Sequence, residues 1–291
     1  MNNVMITGFG KLGSHLMYSL KKTGLYKNIF IKKSSKDKLN TAQLKESAIV
    51  FICSEDEKIA YAVDEIISSN LNLKNKFFHH TSGALKADIL GLLKKKGAYI
   101  GSFHPVQTFE LVAKKYSDRF KNIYIALEGD RKAVLQGEKI AHALGAVPFK
   151  IKSEDKILHH ICCVEASNYL VSHFKLINDI SRKISPKNAN KKILKIGFNN
   201  PSFFDIYKPL ILQTLQNVSE KGIKDSLTGP IERNDLKTVK LHLAAIKENI
   251  PGILLHYIVM GIQTAELALE KGSVNANDAV KMKNLLKSYL K

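Results

Sequence analysis

Residues 8–13 read Gly8-Phe9-Gly10-Lys11-Leu12-Gly13, directly after the apolar run Val4-Met5-Ile6 and directly before an amphipathic stretch. A strand that enters a glycine-rich turn and continues as a helix places free backbone N–H groups where a pyrophosphate can bind. Gly8 would permit the tight turn, Gly10 the close approach of phosphate, and Gly13 the packing of helix on strand. We therefore predict that a dinucleotide is bound by Gly8, Phe9, Gly10, Lys11, Leu12 and Gly13. The alternative is an ordinary glycine-rich turn.

The end of the second strand indicates which dinucleotide binds. This strand reads Ile29-Phe30-Ile31, and about twenty residues past the glycines an NAD-binding chain usually carries an acidic residue for the ribose. Here the sequence continues Lys32-Lys33-Ser34-Ser35-Lys36, with no carboxylate before Asp37. Because ammonium and hydroxyl groups suit a 2′-phosphate, we predict NADP (NADPH) as cofactor, with that phosphate near Lys33 and Ser34. Alternatively, a lysine-rich chain simply places lysines in this loop.

The composition is that of a globular protein, with 45% hydrophobic residues and a formal net charge of +19 over 291 residues. Only four residues are arginines, and the 41 lysines are scattered along the whole chain. Because arginine is preferred for base and phosphate contacts, this distribution argues against a nucleic-acid partner. No stretch approaches the roughly 18 uncharged residues of a membrane span, and the N-terminus reads as a strand rather than a signal peptide. We therefore expect a cytoplasmic protein without a membrane partner.

The cysteines and paired histidines do not form a familiar metal motif. Cys53, Cys162 and Cys163 lack C-x-x-C spacing, which argues against a disulfide framework and against a cysteine metal site. The pairs His79-His80 and His159-His160 lack zinc-motif spacing, and neighbours on a strand or helix point in different directions. We therefore expect no metal.

Strand and helix patterns alternate through the first half of the chain. The helix after the glycine-rich turn is predicted to end near Lys22, and two further helices are predicted over Ile59–Ser68 and Arg131–Leu144. The predicted strands are Val4–Ile6, Ile29–Ile31, Ala48–Cys53, Lys76–His80, Ala98–Phe103, Ile123–Leu127 and Val147–Ile151. Repeated strand–helix units predict an α/β fold, in which residues 1–153 form an N-terminal NADP-binding Rossmann domain with a doubly wound, mostly parallel sheet.

After about Ser153 the strand signal stops. Residues 154–291 are predicted to form an all-α C-terminal domain that binds substrate and mediates a homodimer. A polar segment, 184–201, is predicted to be a loop. The predicted helices are Asp155–Ile180, Ser202–Lys221, Leu236–Asn249, Gly252–Lys271 and Asn277–Lys291.

Three polar loops follow predicted strands and should converge at the carboxyl edge of the sheet. Ser54 lies in the first loop and is expected beside the cofactor ribose. Ser82 lies in the second, near the expected nicotinamide, and His104 lies just beyond it in the third. Each loop taken alone is also compatible with ordinary turn chemistry.

The helix that begins at Asp155 carries the candidates for proton transfer. At α-helical spacing Lys156, His160 and Ser167 share a face, and Asn168 borders it. Reduction of a ketone requires a donor for the carbonyl oxygen as hydride reaches the carbon. His160 or Lys156 would be that donor, and Asn168 would orient the carbonyl. The alternative is that these are ordinary helix residues without a catalytic role.

The segment Leu227–Asp235 combines a Thr-Gly-Pro turn, a rare arginine and a capping Asp235 before a helix. A cationic turn at a helix start binds anions readily. Thr228 and Arg233 are therefore candidates for holding a substrate carboxylate. The alternative is that Arg233 and Glu232 only stabilise the turn.

Taken together, these motifs resemble a known family. They look like the Rossmann-like oxidoreductases with a helical C-terminal domain of formerly unknown function, which belong to the 6-phosphogluconate dehydrogenase-like group. The resemblance spans nearly the whole chain, and its last three motifs are the most specific. The segments that carry it are Gly8–Gly13, His80–Gly83, Gly101–Phe109, Ala166–Tyr169 and Leu227–Asp235 with His242-Leu243 after it.

Some members of this family resemble the alternative ketopantoate reductase. The resemblance therefore implies NADPH-dependent reduction of a small 2-oxo acid, 2-dehydropantoate, to pantoate in pantothenate biosynthesis, with substrate contacts from His104, Ser167, Thr228 and Arg233. Two alternatives stay open: an imine reductase resembling pyrroline-5-carboxylate reductase, and a dinucleotide-sensing protein without turnover.

The chain departs from the family pattern in two places. Asn234 stands where a glycine is usual, which puts the geometry of the turn beside Arg233 in question. His159-His160 stands where Tyr-His is usual, so the position of His160 itself is retained.

Overall fold

The computed structural model describes residues 2–110, 118–183 and 204–290. The chain divides into two compact units, which we call the sheet unit (Met1–Tyr169) and the helical unit (Leu170–Lys291). The division falls later than the predicted boundary after residue 153, because the helix that starts at Lys156 is attached to the sheet. The predicted loop over 184–201 lies outside the described residues.

The sheet unit is built on seven strands in the order β2-β1-β3-β4-β5-β6-β7. Strands β1 to β5 are parallel, β6 is antiparallel to β5, and β7 is parallel to β6. The bounds are β1 (Asn3–Thr7), β2 (Ile29–Lys32), β3 (Ser47–Ile52), β4 (Phe77–His80), β5 (Tyr99–Pro105), β6 (Tyr124–Gly129) and β7 (Val147–Lys150). The prediction of a mostly parallel Rossmann sheet followed by helices is confirmed.

Helices cover both faces of this sheet, and each face has its own apolar core. One core joins α1 to α5 and contains Leu16, Phe51 and Phe103. The other lies under α3 and α4 and contains Ile59, Phe78 and Leu93. The helices are α1 (Lys11–Thr23), α2 (Thr41–Glu46), α3 (Asp56–Ser68), α4 (Gly91–Lys95), α5 (Arg131–Ala143) and α6 (Lys156–Val164), with 3-10 turns at Ala87–Leu90 and Ser153–Asp155.

The structure corrects the prediction of one continuous helix over Asp155–Ile180. Helix α6 ends at Val164, a π-helical turn follows over Glu165–Tyr169, and α7 (Leu170–Ser181) begins in the next unit. A π-helical turn adds a residue to the helical repeat, so side chains beyond it no longer follow α-helical spacing. The short helices α2 and α4 were also not predicted, because each is too short for its periodicity to stand out.

Within residues 204–290 the helical unit has four further helices, and its core includes Val239, Leu243 and Met282. Helix α8 carries Gly222 in a left-handed conformation near its C-terminal end, where the helix is kinked. The bounds are α8 (Phe204–Asp225), α9 (Leu236–Asn249), α10 (Leu254–Lys271) and α11 (Ala276–Lys287), with 3-10 turns at Pro251–Ile253 and Ser288–Leu290.

One stretch of the described chain, Pro251–Lys271, is long and apolar enough by composition to cross a membrane. The expectation that no stretch approaches the length of a membrane span was wrong, because residues 249–265 carry no acidic or basic charge. The inner face of this stretch is nevertheless buried in the helical unit, through Ile258, Gly261, Ala265 and Ala268. A core helix passes the same test of length and composition as a membrane span.

Candidate active site

The three glycines of the first turn differ in what surrounds them. Gly8 has a φ of +89°, and a Cβ there would lie 2.8 Å from backbone atoms of Cys53 and Ser54. A Cβ on Gly13 would overlap the carbonyl oxygen of Gly8, whereas a Cβ on Gly10 would meet nothing within 4 Å. The turn, the close helix packing and the open space for a phosphate therefore fall on the three residues for which they were predicted.

A cleft of about 400 Å³ opens beside this turn. It lies between the ends of β1 and β3, which is the topological switch point of the sheet. Open α/β sheets bind ligands at this position. Gly10 is the N-cap of α1, so the unpaired N–H groups of the first helical turn face this end. The lining includes Gly8, Phe9, Gly10, Lys33, Ser34, Cys53, Ser54, Glu55, Lys58 and Glu65.

Two residues of the predicted motif are used differently. Lys11 forms a 2.9 Å ion pair with Glu110. Leu12 packs on the apolar core under α1. Neither side chain is among those that line the cleft, so their contribution to a bound dinucleotide is through the backbone.

Two carboxylates contact the basic loop after β2: Asp37 within the loop and Glu65 on α3. Lys32 is only 8% exposed, and its Nζ lies 3.1 Å from Glu65 Oε2 and 2.8 Å from the carbonyl oxygen of Ser34. The backbone N–H and the hydroxyl of Ser34 both donate to Asp37 Oδ2, at 2.8 and 3.2 Å. Lys33 is exposed at the rim of the cleft. Lys33 therefore remains the principal cation that this loop presents to a 2′-phosphate.

Lys156 lies at the other end of the sheet's carboxyl edge and has no solvent exposure. Its Nζ donates to the carbonyl oxygen of Ser82 at 3.0 Å and to Ser102 Oγ at 2.6 Å. Burial lowers the pKa of Lys156 to about 8, although the charges of Glu128 and Asp56 oppose this shift. A lysine with this pKa changes its protonation close to physiological pH, as a proton-transfer group must.

Glu128 is a buried carboxylate whose charge opposes the lowering of the pKa of Lys156. It stands opposite Ser102 in the β5–β6 ladder. Glu128 Oε2 accepts the backbone N–H of Ala87 at 2.8 Å, and Oε1 accepts the hydroxyl of Ser153 at 2.6 Å. The sequence analysis missed both Ser102 and Glu128, since only the antiparallel register of β6 brings them together.

His104 and His160 meet across Gly83. A Cβ on Gly83 would come within 2.7 Å of His160 Cδ2 and 2.8 Å of His104 Nε2, so only glycine fits between the two rings. Burial, Lys156, His159 and His160 together lower the pKa of His104 to about 3, so it is neutral at physiological pH. The structure thus places His104, His160, Ser82 and Lys156 in one cluster, as their positions in the sequence suggested.

His159 was not predicted to belong to this cluster. Its Nε2 lies 3.2 Å from His104 Nδ1 and 3.8 Å from Cys163 Sγ. The 159/163 spacing of one helical turn was a signal in the sequence, but it only became meaningful once β5 had placed His104 opposite it.

The adjacent histidines of β4 point to opposite faces of the sheet. His80 Nδ1 accepts the backbone N–H of Ser82 at 3.2 Å, which shapes the loop that Lys156 also holds. His79 is fully buried and stacks on Phe51 with ring centroids 5.5 Å apart. Burial lowers the pKa of His79 to about 4 and that of His80 to about 3. Both rings are therefore neutral at physiological pH.

The remaining predicted site residues lie on other parts of the chain. Ser167 and exposed Asn168 fall in the π-helical turn, so the spacing that aligned them with Lys156 does not hold. Thr228 and Arg233 belong to the helical unit, and both are exposed. Glu232 pairs with Lys271 at 2.9 Å, which shows that the turn is stabilised by a different cation from the one considered.

Asn234 explains how the turn tolerates the loss of glycine. Its φ is +54°, in the left-handed region that asparagine adopts more readily than other residues with a side chain. The turn then leads into Asp235, whose carboxylate accepts the N–H of Thr238 and caps α9. The departure from the family pattern therefore keeps the backbone conformation that glycine would supply.

The described fold and cluster define a Rossmann protein with a helical C-terminal unit, and comparisons with known proteins agree. The structure is similar to a crystal structure named "putative NADP oxidoreductase" from Bacteroides fragilis, with 19% sequence identity and a TM-score of 0.68. The alignment covers 92% of this chain and 98% of that one. It is also similar to a protein from Thermotoga maritima, with 21% sequence identity and a TM-score of 0.60. That alignment covers 99% of this chain and 100% of the other. A third similar structure is pyrroline carboxylate reductase from Plasmodium falciparum, solved with NADP bound. It has 12% sequence identity and a TM-score of 0.56, and 98% of both chains is covered.

A family model adds a sequence match to these structural ones. Residues 123–264 match DUF2520, a domain of unknown function. Together with the structural likeness, this match agrees with the resemblance of the motifs to Rossmann-like oxidoreductases with a helical C-terminal domain. No curated protein matches the sequence.

Proposed function

We propose that this protein is an NAD(P)-dependent oxidoreductase that uses NADPH to reduce a small 2-oxo acid. The observation that carries the proposal is the pairing of a phosphate-sized opening at Gly10 with a fully buried Lys156 farther along the same sheet edge. A sensing protein needs the first feature, whereas the second also supplies a group that can transfer a proton. The crystal structures named for NADP or solved with it support the same class.

The residues present fit a dinucleotide. Open space at Gly10 and the N-terminus of α1 suit the pyrophosphate, since backbone N–H groups and the helix dipole both favour an anion there. Exposed Lys33 would hold the 2′-phosphate and Ser54 the neighbouring ribose. Ser82 and His104, at the ends of β4 and β5, would receive the nicotinamide, which supplies hydride when bound.

Proton transfer falls to the cluster around Gly83. His160 is partly exposed beside His104, and Lys156 lies one helical turn before it. Either group could protonate the oxygen that gains charge as hydride arrives, and partly exposed His160 would then recover its proton from solvent. Lys156 also holds Ser82 and Ser102 in place, so it orders the loop against which a substrate carbonyl would rest.

For the substrate, we infer ketopantoate, which would be reduced to pantoate. In the sheet unit, Asn168 would orient its keto oxygen. In the helical unit, Arg233 and Thr228 are the candidates for a carboxylate contact. Arg233 is one of only four arginines in the chain, and its planar guanidinium suits a bidentate carboxylate contact. Ser167 would complete the polar surface next to Asn168.

Reduction of a carbon–nitrogen double bond is the second candidate. It is favoured by the likeness of the chain to pyrroline carboxylate reductase along 98% of its length. The two reactions share hydride transfer and differ in the atom that receives the proton. A fold shared at this identity does not decide between the two substrates.

The deciding experiment follows NADPH oxidation by the full chain with ketopantoate and, separately, with pyrroline-5-carboxylate. Turnover with the keto acid that Gly10→Asp abolishes supports the proposal. Turnover only with the imine assigns the second candidate. If NADPH binds tightly and neither substrate is reduced, the oxidoreductase proposal for these substrates is rejected, and binding without turnover is favoured.

A further inference from the structure

Three potential metal ligands converge beside the Gly83 cluster. They are His104 on β5 and both His159 and Cys163 on α6, and their donor atoms all lie within 4.8 Å of one another. All three side chains are partly buried. The sequence analysis rejected a metal because it considered the doublet His159-His160, whose members point apart. The convergence instead uses one member of that doublet with its neighbour one helical turn later.

Two of the three distances between these donor atoms are close to the edges of a tetrahedral site, and the third is within 4.8 Å. A zinc ion with Zn–N of about 2.05 Å and Zn–S of about 2.3 Å separates two nitrogens by about 3.3 Å and a nitrogen from a sulfur by about 3.6 Å. The observed separations are 3.2 Å between His104 Nδ1 and His159 Nε2, and 3.8 Å between His159 Nε2 and Cys163 Sγ. Small side-chain movements would bring all three atoms to bonding distance.

We propose that His104, His159 and Cys163 bind a divalent zinc ion through two imidazole nitrogens and one thiolate. Two imidazoles with a thiolate form a borderline-soft donor set, which suits zinc better than magnesium or calcium. Binding releases the thiol proton to solvent, and the sulfur then bonds to the metal. Three protein ligands leave a fourth position for water, as in zinc sites that are open to ligands.

A hydrogen bond between the two imidazoles is the competing explanation. It accounts for the 3.2 Å separation, because one nitrogen can donate to the other. The imidazole pair alone does not explain why a third donor atom lies at the same place. Cys163 Sγ is 3.8 Å from His159 Nε2, the nitrogen that also faces His104. The donor set follows from the positions of the three side chains and does not depend on the proposed reaction.

The first test uses tag-free full-length protein that has been treated with a chelator and dialysed. Titration with Co²⁺ should give one equivalent bound, with a thiolate-to-cobalt charge-transfer band that Zn²⁺ then abolishes. Cys163→Ser should remove the band, and His159→Gln should weaken zinc binding on the order of 10²-fold. Cys162→Ser is the matched control, since its exposed side chain is adjacent in sequence and lies outside the site. Wild-type protein that binds no stoichiometric metal overturns the proposal, as does binding that survives Cys163→Ser unchanged.

The second test needs no variant, and therefore does not depend on how a variant folds. Wild-type protein is alkylated with iodoacetamide with and without Zn²⁺, and the modification of each cysteine is measured by mass spectrometry. Zinc should slow the alkylation of Cys163 at least tenfold while leaving Cys162 unchanged. Equal rates at Cys163 with and without zinc would mean that the thiol does not bind the metal.

Discussion

Lys156 donates a 2.6 Å hydrogen bond to Ser102 Oγ, and this contact joins the first turn of α6 to the middle of strand β5. The same ammonium group reaches the carbonyl oxygen of Ser82 in the neighbouring loop. One buried charge thus ties together three segments that are far apart in the sequence. Its removal would leave buried oxygen atoms without their donor, at a cost of about 1–3 kcal/mol for each unsatisfied group.

The pH dependence of turnover should reveal whether Lys156 is the proton donor. Its pKa is lowered to about 8, so kcat/KM for ketopantoate should fall as the pH rises through that value and the ammonium loses its proton. Lys156→Met should lower turnover by about 10²–10⁴ and remove this limb. Exposed Lys152→Met is the control and should leave the profile unchanged. If His160→Ala abolishes turnover while Lys156→Met retains it, the donor is His160.

Gly10→Asp should abolish NADPH binding without unfolding the protein. The structure has room for the side chain, since nothing lies within 4 Å of a Cβ there, but the carboxylate would occupy and repel the phosphate position. Gly91→Asp, also at an open position but on α4, should bind NADPH normally. Fluorescence titration measures the affinity and circular dichroism the fold. A folded Gly10→Asp variant with unchanged affinity would contradict the assigned cleft.

Lys33→Asp should shift cofactor preference from NADPH towards NADH. The substitution removes the exposed cation at the cleft rim and places a carboxylate against the 2′-phosphate. We expect kcat/KM for NADPH to fall about tenfold or more, while that for NADH changes less. Lys27→Asp, which precedes the amino end of β2, is a charge-matched control. A wild-type preference for NADH would show that Glu65 and Asp37, rather than the lysines, decide the chemistry of this loop.

Acid should destabilise the protein through the buried histidines of β4. The pKa of His79 is lowered to about 4 against an ordinary value of 6.5, so the unfolded chain binds more protons between these values. Folding stability is therefore lost as the pH falls from about 6.5 towards 4. His79→Leu should reduce the difference between urea midpoints at pH 7 and pH 5, whereas exposed His142→Gln should not. An unchanged difference in His79→Leu would assign the acid sensitivity elsewhere.

We expect a homodimer through the helical unit, because α8 and α10 expose large apolar side chains. Leu210 is 66% exposed and Ile206 60% exposed, one turn apart on α8, and Leu255 on α10 is 63% exposed. Such surfaces mark interaction sites. Sedimentation analysis should give a dimer for the wild type and a monomer for Leu210→Glu. Gln213→Glu adds the same charge to α8 at an exposed polar position and should remain dimeric. A monomeric wild type would contradict the expectation.

The sequence was sufficient for the parts of this protein that depend on local pattern. The glycine-rich turn, the parallel strands and helix α9 could be predicted because backbone geometry and apolar periodicity are written in adjacent residues. The cluster around Lys156 could be predicted only in part. Its lysine and His160 lie on one helix, but Ser102 and Glu128 depend on strand register, which a single sequence does not determine.

The errors have the same origin. Glu65 on α3 pairs with Lys32 through a tertiary contact, so the loop is less cationic than its sequence. The π-helical turn at Glu165–Tyr169 changes the helical repeat, so α-helical spacing does not predict which side chains share a face with Lys156. Nothing in the sequence indicates this turn. His159 pairs with His104 across 55 positions of the chain, a separation at which residue spacing carries no information.

The antiparallel pairing of β5 and β6 bears on whether the C-terminal part of the chain can fold by itself. The DUF2520 match begins at residue 123, just before β6, so the family boundary runs through the sheet. Five residue pairs, from Gly101 with Gly129 to Pro105 with Ile125, cross that boundary. Residues 123–291 made alone would expose the bare edge of β6, and exposed edges recruit other strands. A gene fragment encoding only residues 123–291 should therefore yield aggregates rather than an independently folded protein.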